Sequence, residues 1–179
     1  MFDNVYAGKT VLVTGNTGFK GSWLATWLFS LGASVFGFSN SVPKGTTMYS
    51  VFGSRALKGC IEGDVRDFNR LHAYILEVKP DFIFHLAAQA LVRRSYENPL
   101  DTILTNAYGS ASILDALRNF EKKVTVVMIT SDKAYDNVEW TYGYRETDNL
   151  GGKDPYSGSK GAAELLIKSY VYCKCKFNG

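Results

Sequence analysis

The sequence predicts an α/β fold, a doubly wound parallel sheet with helices on both faces, and three observations support this prediction. Short apolar runs rich in β-branched residues alternate with longer segments of helical periodicity. Two of the runs, Phe82-Ile83-Phe84 and 126–129, are apolar throughout, as strands covered on both faces require. A glycine-rich turn joins the first run to the first helical segment. This alternation is typical of β-α-β units in a parallel sheet.

The elements follow in order along the chain. We predict strands over residues 10–14, 34–38, 60–62, 81–85 and 124–130. We predict helices over residues 21–31, 67–78, 99–120 and 156–172. A short helix is expected around residues 49–51, and residues 132–153 are expected to be irregular because Tyr, Asn, Asp and Gly dominate them. A connection of that length inside a compact domain is usually functional.

Composition narrows the class of protein. The 179 residues are enough for one domain with a substantial core, and the net charge is +3. The basic residues are scattered, so we expect no nucleic-acid partner, and no apolar run has the length of a membrane span. Cys60, Cys173 and Cys175 do not form a disulfide framework, and reduced thiols in a cytoplasmic protein are expected.

Gly15, Gly18 and Gly21 recur at every third position between the first strand and the first helix. Glycine is needed where φ is positive or where another backbone approaches closely. A helix start offers N–H groups and a partial positive charge, which together suit a pyrophosphate. We interpret the segment as a dinucleotide-binding turn; the alternative is a purely structural strand-to-helix turn.

Tyr156 and Lys160 lie four residues apart at the start of the last predicted helix, so both side chains project from one face. A nearby cation lowers the pKa of a phenol, and a proton acceptor for an alcohol needs that change. The alternative is a solvated pair on a helix surface.

Three further segments follow predicted strands, at the sheet edge where open parallel sheets bind ligands. Ser131-Asp132-Lys133 offers a hydroxyl, a carboxylate and an ammonium, or else a turn that caps its own backbone. His85-Leu86-Ala87-Ala88-Gln89 has small residues against which a cofactor can lie, and His85 is interpreted as structural. Asp64 is a candidate hydrogen-bond acceptor for an adenine amino group, whereas Asp67 is a candidate helix cap. With two histidines in the chain, no metal cluster is expected.

These motifs together resemble the extended short-chain dehydrogenases/reductases that act on nucleotide sugars, a family with a Rossmann-like sheet. The motifs are Thr14-Gly15-x-x-Gly18-x-x-Gly21, Gly63-Asp64-Val65-Arg66-Asp67, His85-Leu86-Ala87-Ala88-Gln89 and Tyr156-x-x-x-Lys160. Within the family, Ser131-Asp132-Lys133 and Gly143-Tyr144-Arg145-Glu146 are similar to the sequence motifs of 4,6-dehydratases for CDP-hexoses. Related enzymes for dTDP-glucose usually have Asp-Glu in place of Asp132-Lys133.

The resemblance implies NAD as cofactor and a nucleoside diphosphate sugar, CDP-glucose foremost, as substrate. It implies that Tyr156, assisted by Ser131 and Lys160, takes the proton of the sugar C4 hydroxyl, that Asp132 protonates the departing C6 hydroxyl, and that Lys133 stands where relatives place the base for the C5 proton. The implied cofactor-binding residues are Gly15, Thr17, Gly18, Phe19, Lys20, Asp64, Val65, Leu86, Ala87, Ala88, Gln89, Tyr156 and Lys160.

Two features depart from the family pattern. Relatives carry an acid after the second strand to hold the adenosine ribose, whereas Phe38-Ser39-Asn40-Ser41-Val42 has none, and Asn40 or Ser41 is the expected neutral substitute. The pattern also stops after five strands. We therefore expect residues 1–179 to be the NAD-binding portion of a longer protein, without the last strands and the sugar-nucleotide lobe, and a homo-oligomer at full length. The alternatives are an epimerase or reductase of the same family, or a dinucleotide-binding module without catalysis.

Overall fold

A computed structural model describes residues 2–177, with side chains described as far as residue 173. Its described residues form one parallel sheet of strands β1 (Thr10–Thr14), β2 (Ser34–Ser39), β3 (Leu57–Glu62), β4 (Phe82–His85) and β5 (Thr125–Met128). The strand order is β3-β2-β1-β4-β5, which is the order of the first five strands of a Rossmann fold. The predicted α/β class and strand sequence are therefore confirmed.

The α-helices are α1 (Phe19–Ser30), α2 (Phe68–Val78), α3 (Val92–Glu97), α4 (Pro99–Ile103), α5 (Gly109–Ala116) and α6 (Pro155–Phe177). Two π-helical segments lie at Tyr49–Gly53 and Leu104–Tyr108, and 3-10 turns lie at Phe2–Asn4 and Asp132–Ala134.

The prediction of one helix over residues 99–120 is wrong. The π-helical segment Leu104–Tyr108 separates α4 from α5, and α5 ends at Ala116. Within that segment the Asn106 side chain makes hydrogen bonds outside its own helix, to the backbone of Gln89. Helix α3 was not predicted, because its short, mostly polar sequence shows no helical periodicity.

The described chain divides into two compact units. The first unit takes the residues up to 87 together with 119–129, and it contains the whole sheet, α1 and α2. The second unit takes residues 88–118 and those from 130 onward, and it contains α3 to α6.

Helices cover both faces of the sheet in the first unit. Val13 and Val35 are buried with Leu28 of α1 in one apolar cluster. Phe38 lies three positions after Val35 on β2, so its side chain points to the opposite face. There its ring lies 6.1 Å from the ring of Tyr74, on α2. The two helices therefore pack on opposite faces, as the sequence predicted. The expectation that residues 126–129 are covered on both faces is wrong among the described residues, because Val127 and Ile129, in and just after the edge strand β5, are 36% and 40% exposed.

The second unit is built around α6, which packs against α3, α4, α5 and the π-helical segment between the last two. The predicted irregular stretch is confirmed: after the 3-10 turn at Asp132–Ala134, a loop runs to Gly151 and closes on itself. Tyr135 and Leu150 form an antiparallel bridge, and Gly151 N donates to Ala134 O at 2.8 Å. Among the described residues, the helices are too short or too polar to cross a bilayer.

Candidate active site

The glycine-rich turn after β1 has backbone demands that only glycine meets without strain. Gly15 has φ +72°, and a Cβ atom there would lie 2.8 Å from Ala87 N. A Cβ atom on Gly21 would lie 2.1 Å from Gly15 O. Both positions bring backbones into contact, so the turn holds β1, the start of α1 and the end of β4 together.

Helix α1 begins with backbone N–H donors that have no side-chain cap from the N-cap residue in the described part of the chain. Its N-cap is Gly18, which has no side chain to accept hydrogen bonds from the first-turn N–H groups. The first turn contains no acidic residue, and Gly18, Phe19 and Lys20 are exposed. The exposed N–H groups and partial positive charge of this helix start suit an anion such as a pyrophosphate.

The turn is also tied to the end of β2. Ser39 Oγ donates to Asn16 Oδ1 at 2.8 Å, and Thr17 Oγ1 donates to Ser41 O at 2.7 Å. Asn16 is fully buried against Gly37, where a Cβ atom would lie 2.5 Å from the Asn16 amide. Thr17 thus has a structural contact, and Asn16 is a positioning residue that sequence reasoning missed.

Thr14 fixes the residues that follow β4. Its hydroxyl lies 2.8 Å from His85 Nδ1 and accepts from Ala87 N at 3.3 Å, while its carbonyl accepts from Leu86 N. His85 is 2% exposed, in agreement with the structural role expected for it. Leu86 packs against the apolar cluster beneath α1.

Asp64, after β3, makes close contacts with Arg66. Asp64 Oδ1 accepts from Arg66 Nε at 2.9 Å, and Oδ2 accepts from Arg66 Nη2 at 2.6 Å. The hydrogen bonds from the guanidinium lower the pKa of the Asp64 carboxyl. Val65 beside it is buried. Asp67 caps α2 by accepting from Arg70 N at 3.1 Å, so its predicted capping role is confirmed.

In the second unit, Tyr156 and Lys160 lie on the first two turns of α6, and both are buried. Asp154 stabilises the helix start because its carboxylate accepts from Ser157 N at 3.0 Å and from Ser157 Oγ at 2.6 Å. Burial lowers the pKa of Lys160, and the carboxylate of Glu164 partly opposes this effect. The pair is therefore not the solvated surface pair of the alternative interpretation.

The turn carrying Asp132 and Lys133 packs directly against this part of α6. A Cβ atom on Gly161, next to Lys160, would lie 3.2 Å from Ala134 O. Ser131 Oγ accepts from Lys133 N at 3.2 Å and donates to Asp132 Oδ1 at 3.1 Å. The cap expected in the alternative interpretation is thus present, while Asp132 and Lys133 have exposed side chains. The second unit brings all five predicted catalytic residues onto α6 and the turn packed against it.

A buried polar network, which sequence reasoning missed, links the Ala88-Gln89 segment to α6. Asn106 Oδ1 accepts from Gln89 N at 2.9 Å, and Asn106 Nδ2 donates to Ser159 Oγ at 2.9 Å. Ser159 in turn donates to Tyr156 O at 2.6 Å. Gln89 Nε2 donates to Thr102 Oγ1 at 2.9 Å. This network fixes the backbone that carries Tyr156.

Comparison with known proteins shows the family to which the chain belongs. Residues 12–174 match the family model described as GDP-mannose 4,6 dehydratase. CDP-glucose 4,6-dehydratase from Salmonella typhimurium is 47% identical over 167 residues, which cover 93% of this chain and 46% of the relative. CDP-paratose 2-epimerase from Salmonella typhi is 30% identical, over 90% of this chain and 52% of the relative.

Solved structures show the same architecture. dTDP-glucose 4,6-dehydratase from Streptomyces venezuelae, solved with NAD bound, superposes with a TM-score of 0.78 at 26% identity, over 91% of this chain and 52% of that one. UDP-glucose 4-epimerase from Thermotoga maritima superposes with a TM-score of 0.79 at 25% identity, over 91% of this chain and 51% of that one. The chain spans about half the length of the curated relatives it matches. It belongs to the GDP-mannose 4,6 dehydratase family, among the extended short-chain dehydrogenases/reductases.

Proposed function

We propose that the protein carries out the NAD-dependent dehydration of a nucleoside diphosphate hexose, and that CDP-glucose is the substrate. The observation that carries this proposal is the packing of the Asp132–Ala134 turn against α6 at Gly161, beside Lys160. A phenol, two lysine amino groups, a hydroxyl and a carboxyl group are thereby gathered in one unit. The similarity to CDP-glucose 4,6-dehydratase supports the choice of sugar nucleotide.

NAD is the proposed cofactor, and when bound it accepts a hydride and later returns it. The proposed site of its pyrophosphate is the start of α1, which has no side-chain cap, with Gly15, Thr17, Gly18, Phe19 and Lys20 as the proposed contacts. The proposed contacts to the rest of the cofactor are Asp64, Val65, Leu86, Ala87, Ala88, Gln89, Tyr156 and Lys160. Asn40 and Ser41, exposed after β2, are the proposed partners of the ribose hydroxyls.

The residues of the second unit supply the proton transfers. Tyr156 accepts the proton of the sugar C4 hydroxyl as that carbon is oxidised to a ketone, and Ser131 and Lys160 assist by stabilising the phenolate. The ketone acidifies the C5 proton, which Lys133 removes in its neutral amine form and then carries as an ammonium. Asp132, in its carboxylic acid form, donates a proton to the C6 hydroxyl, which leaves as water. The Lys133 ammonium returns its proton to C5, and C6 would receive the hydride that the bound cofactor supplies, which leaves a 4-keto-6-deoxy sugar.

The remaining proposals concern the whole protein. We propose that residues 1–179 act as its NAD-binding portion and that it assembles as a homo-oligomer. In support, Leu100, Leu165 and Tyr172 on the helices of the second unit are 58% to 66% exposed. A cytoplasmic location stays a prediction, with which the free thiols of Cys60 and Cys173 are consistent.

The proposal is tested with NAD and a panel of CDP-glucose, dTDP-glucose, GDP-mannose and UDP-N-acetylglucosamine. Mass spectrometry of the sugar nucleotide detects the loss of one water, and the reaction is run both with the 179-residue chain and with the chain extended by any coding sequence that follows. We expect water loss from CDP-glucose. NAD binding without water loss from any of the four, in either form, would favour a non-catalytic binding module.

A same-fold epimerase is the second candidate, and the similarity to CDP-paratose 2-epimerase favours it. Epimerisation does not expel the C6 hydroxyl, so an epimerase needs no acid at position 132. Asp132→Asn therefore separates the two functions. We expect this variant to lose most of the dehydration activity, by about 100-fold or more. Retention of full 4-keto-6-deoxy product formation would remove Asp132 from the acid role.

A further inference from the structure

Glu164 lies on α6 four residues after Lys160 and eight after Tyr156, so the three side chains share one face of the helix. Its carboxylate is held from outside the helix, because Thr130 Oγ1 donates to Glu164 Oε1 at 2.5 Å. Thr130 directly precedes Ser131. The same strand-to-turn segment that carries the predicted catalytic residues therefore also holds Glu164.

Lys160 is 5% exposed, and burial of an ammonium group favours its neutral form. Burial lowers the pKa of Lys160, whereas the negative charge of Glu164 raises it. A neutral amine would give no electrostatic support to a tyrosine phenolate. The state of Lys160 thus depends on a carboxylate one helical turn away.

The helix alone does not provide a strong pair here. Residues at i and i+4 have Cβ atoms about 5–6 Å apart, but a lysine preceding a glutamate is the weaker of the two orders. The hydrogen bond from Thr130 supplies what the helix lacks, because it fixes the Glu164 carboxylate in one place.

We propose that Glu164, held by Thr130, is a positioning residue that keeps Lys160 in its ammonium form beside Tyr156. The catalytic role of this charge rests on the proposed function. The charge of Lys160 itself can be measured without it. Glu164 needs no contact with substrate or cofactor in this role.

Other charged or titratable groups lie on the elements packed against α6, and the test leaves them unchanged except in its control. They are Asp132 and Lys133 on the 3-10 turn, Tyr135 directly after it, Arg93, Arg94, Tyr96 and Glu97 on α3, Asp101 on α4, Tyr108 in the π-helical segment and Asp115 on α5.

The test is an NMR titration of the Lys160 side chain in the 179-residue chain without substrate, with the signal assigned through Lys160→Arg. Glu164→Gln keeps an oxygen acceptor for Thr130 and removes the charge. We expect its Lys160 midpoint to move to lower pH by about half a pH unit or more, from a unit charge about 6 Å away in a water-like dielectric. Thr130→Val is expected to move it the same way, and Thr130→Ser, which keeps the hydroxyl, to restore it.

Asp115→Asn is the matched control. Asp115 is held by Tyr170, which lies ten residues, or about 15 Å, further along α6 than Lys160. The Asp115→Asn variant removes one negative charge, as Glu164→Gln does, and is expected to leave the Lys160 titration midpoint within about 0.2 pH units of the parent value. An unchanged midpoint in folded Glu164→Gln, or an equal shift in Asp115→Asn, would overturn the inference and leave the proposed function standing. A shifted midpoint, together with no water loss from any sugar nucleotide in either the 179-residue or the extended chain, would overturn the proposed function alone.

Discussion

The backbone of Ala87, after β4, lies so close to Gly15, after β1, that a Cβ atom at position 15 would be 2.8 Å from Ala87 N and 2.9 Å from Ala87 Cα. Adjacent parallel strands β1 and β4 end at this contact. It lies where the strand order reverses, which is where open α/β sheets bind their ligands. The glycine is therefore required by packing as well as by its positive φ.

Gly15→Ala is expected to destabilise the protein by about 3 kcal/mol or more, because left-handed strain and a backbone clash add together. Urea denaturation measures the change in the free energy of unfolding. Gly8→Ala is the matched control, since Gly8 has φ +69° but open space around it, and its cost should be about 1 kcal/mol. Equal costs for the two variants would show that the contact with Ala87 does not constrain the turn.

Asn106→Ala is expected to cost about 2–4 kcal/mol, because the N–H and C=O of Gln89 and the hydroxyl of Ser159 all lose a buried partner. Ser112→Ala is the control. That hydroxyl is also buried but only donates to Tyr108 O within its own helical turn, so its loss should cost less than about 1 kcal/mol. Thermal or urea unfolding measures both, and comparable losses would contradict the proposed importance of the network.

The ion pair of Asp64 with Arg66 should make the free energy of unfolding depend on pH. Hydrogen bonds from Arg66 lower its pKa in the folded state, so its contribution is fully present above the unfolded pKa of about 3.9 and is lost as pH falls through the lower folded value. Asp64→Asn should therefore cost up to about 1 kcal/mol at pH 7, since the pair is about one-third exposed. The difference from the parent should vanish in the acid range below pH 4. If the difference in the free energy of unfolding between parent and variant instead grew as the pH falls, the ion pair with Arg66 would not be what lowers the pKa of Asp64.

Tyr156→Phe tests the proton acceptor without emptying its site, because phenylalanine keeps the buried ring. We expect turnover of the nucleotide sugar to fall by about 100-fold or more, while the free energy of unfolding changes by less than about 1 kcal/mol. Tyr172→Phe is the control, as Tyr172 is 62% exposed. Turnover above one-tenth of the parent rate in Tyr156→Phe would exclude Tyr156 as the base.

The sheet could be predicted from the sequence because each strand is a short apolar run rich in β-branched residues, which is recognisable without knowledge of its neighbours. The bounds of β1 agree with the prediction at both ends, and the glycines that follow it are demanded by local backbone geometry. Tyr156 and Lys160 could be paired from spacing alone, since four residues make one helical turn. Periodicity and turn chemistry are local properties, and these features depend on them.

The remaining features depend on distant partners, which local patterns do not report. Asn106 was hidden inside an apparently continuous helix, although its side chain bonds to residues 17 and 53 positions away. Glu164 looked like an ordinary polar residue of a helix, but its partner Thr130 is 34 positions earlier. The burial of Asn16 against Gly37 likewise needs the pairing of β1 with β2.

The most direct test of the dehydratase proposal follows the hydrogen on C4 of the sugar. CDP-glucose carrying deuterium at C4 is incubated with NAD and the protein, and the position of the label in the product is read by NMR. The proposed reaction moves the deuterium from C4 to the C6 methyl group as water is lost. Deuterium that stays on C4, or a product that has kept its C6 hydroxyl, would contradict it.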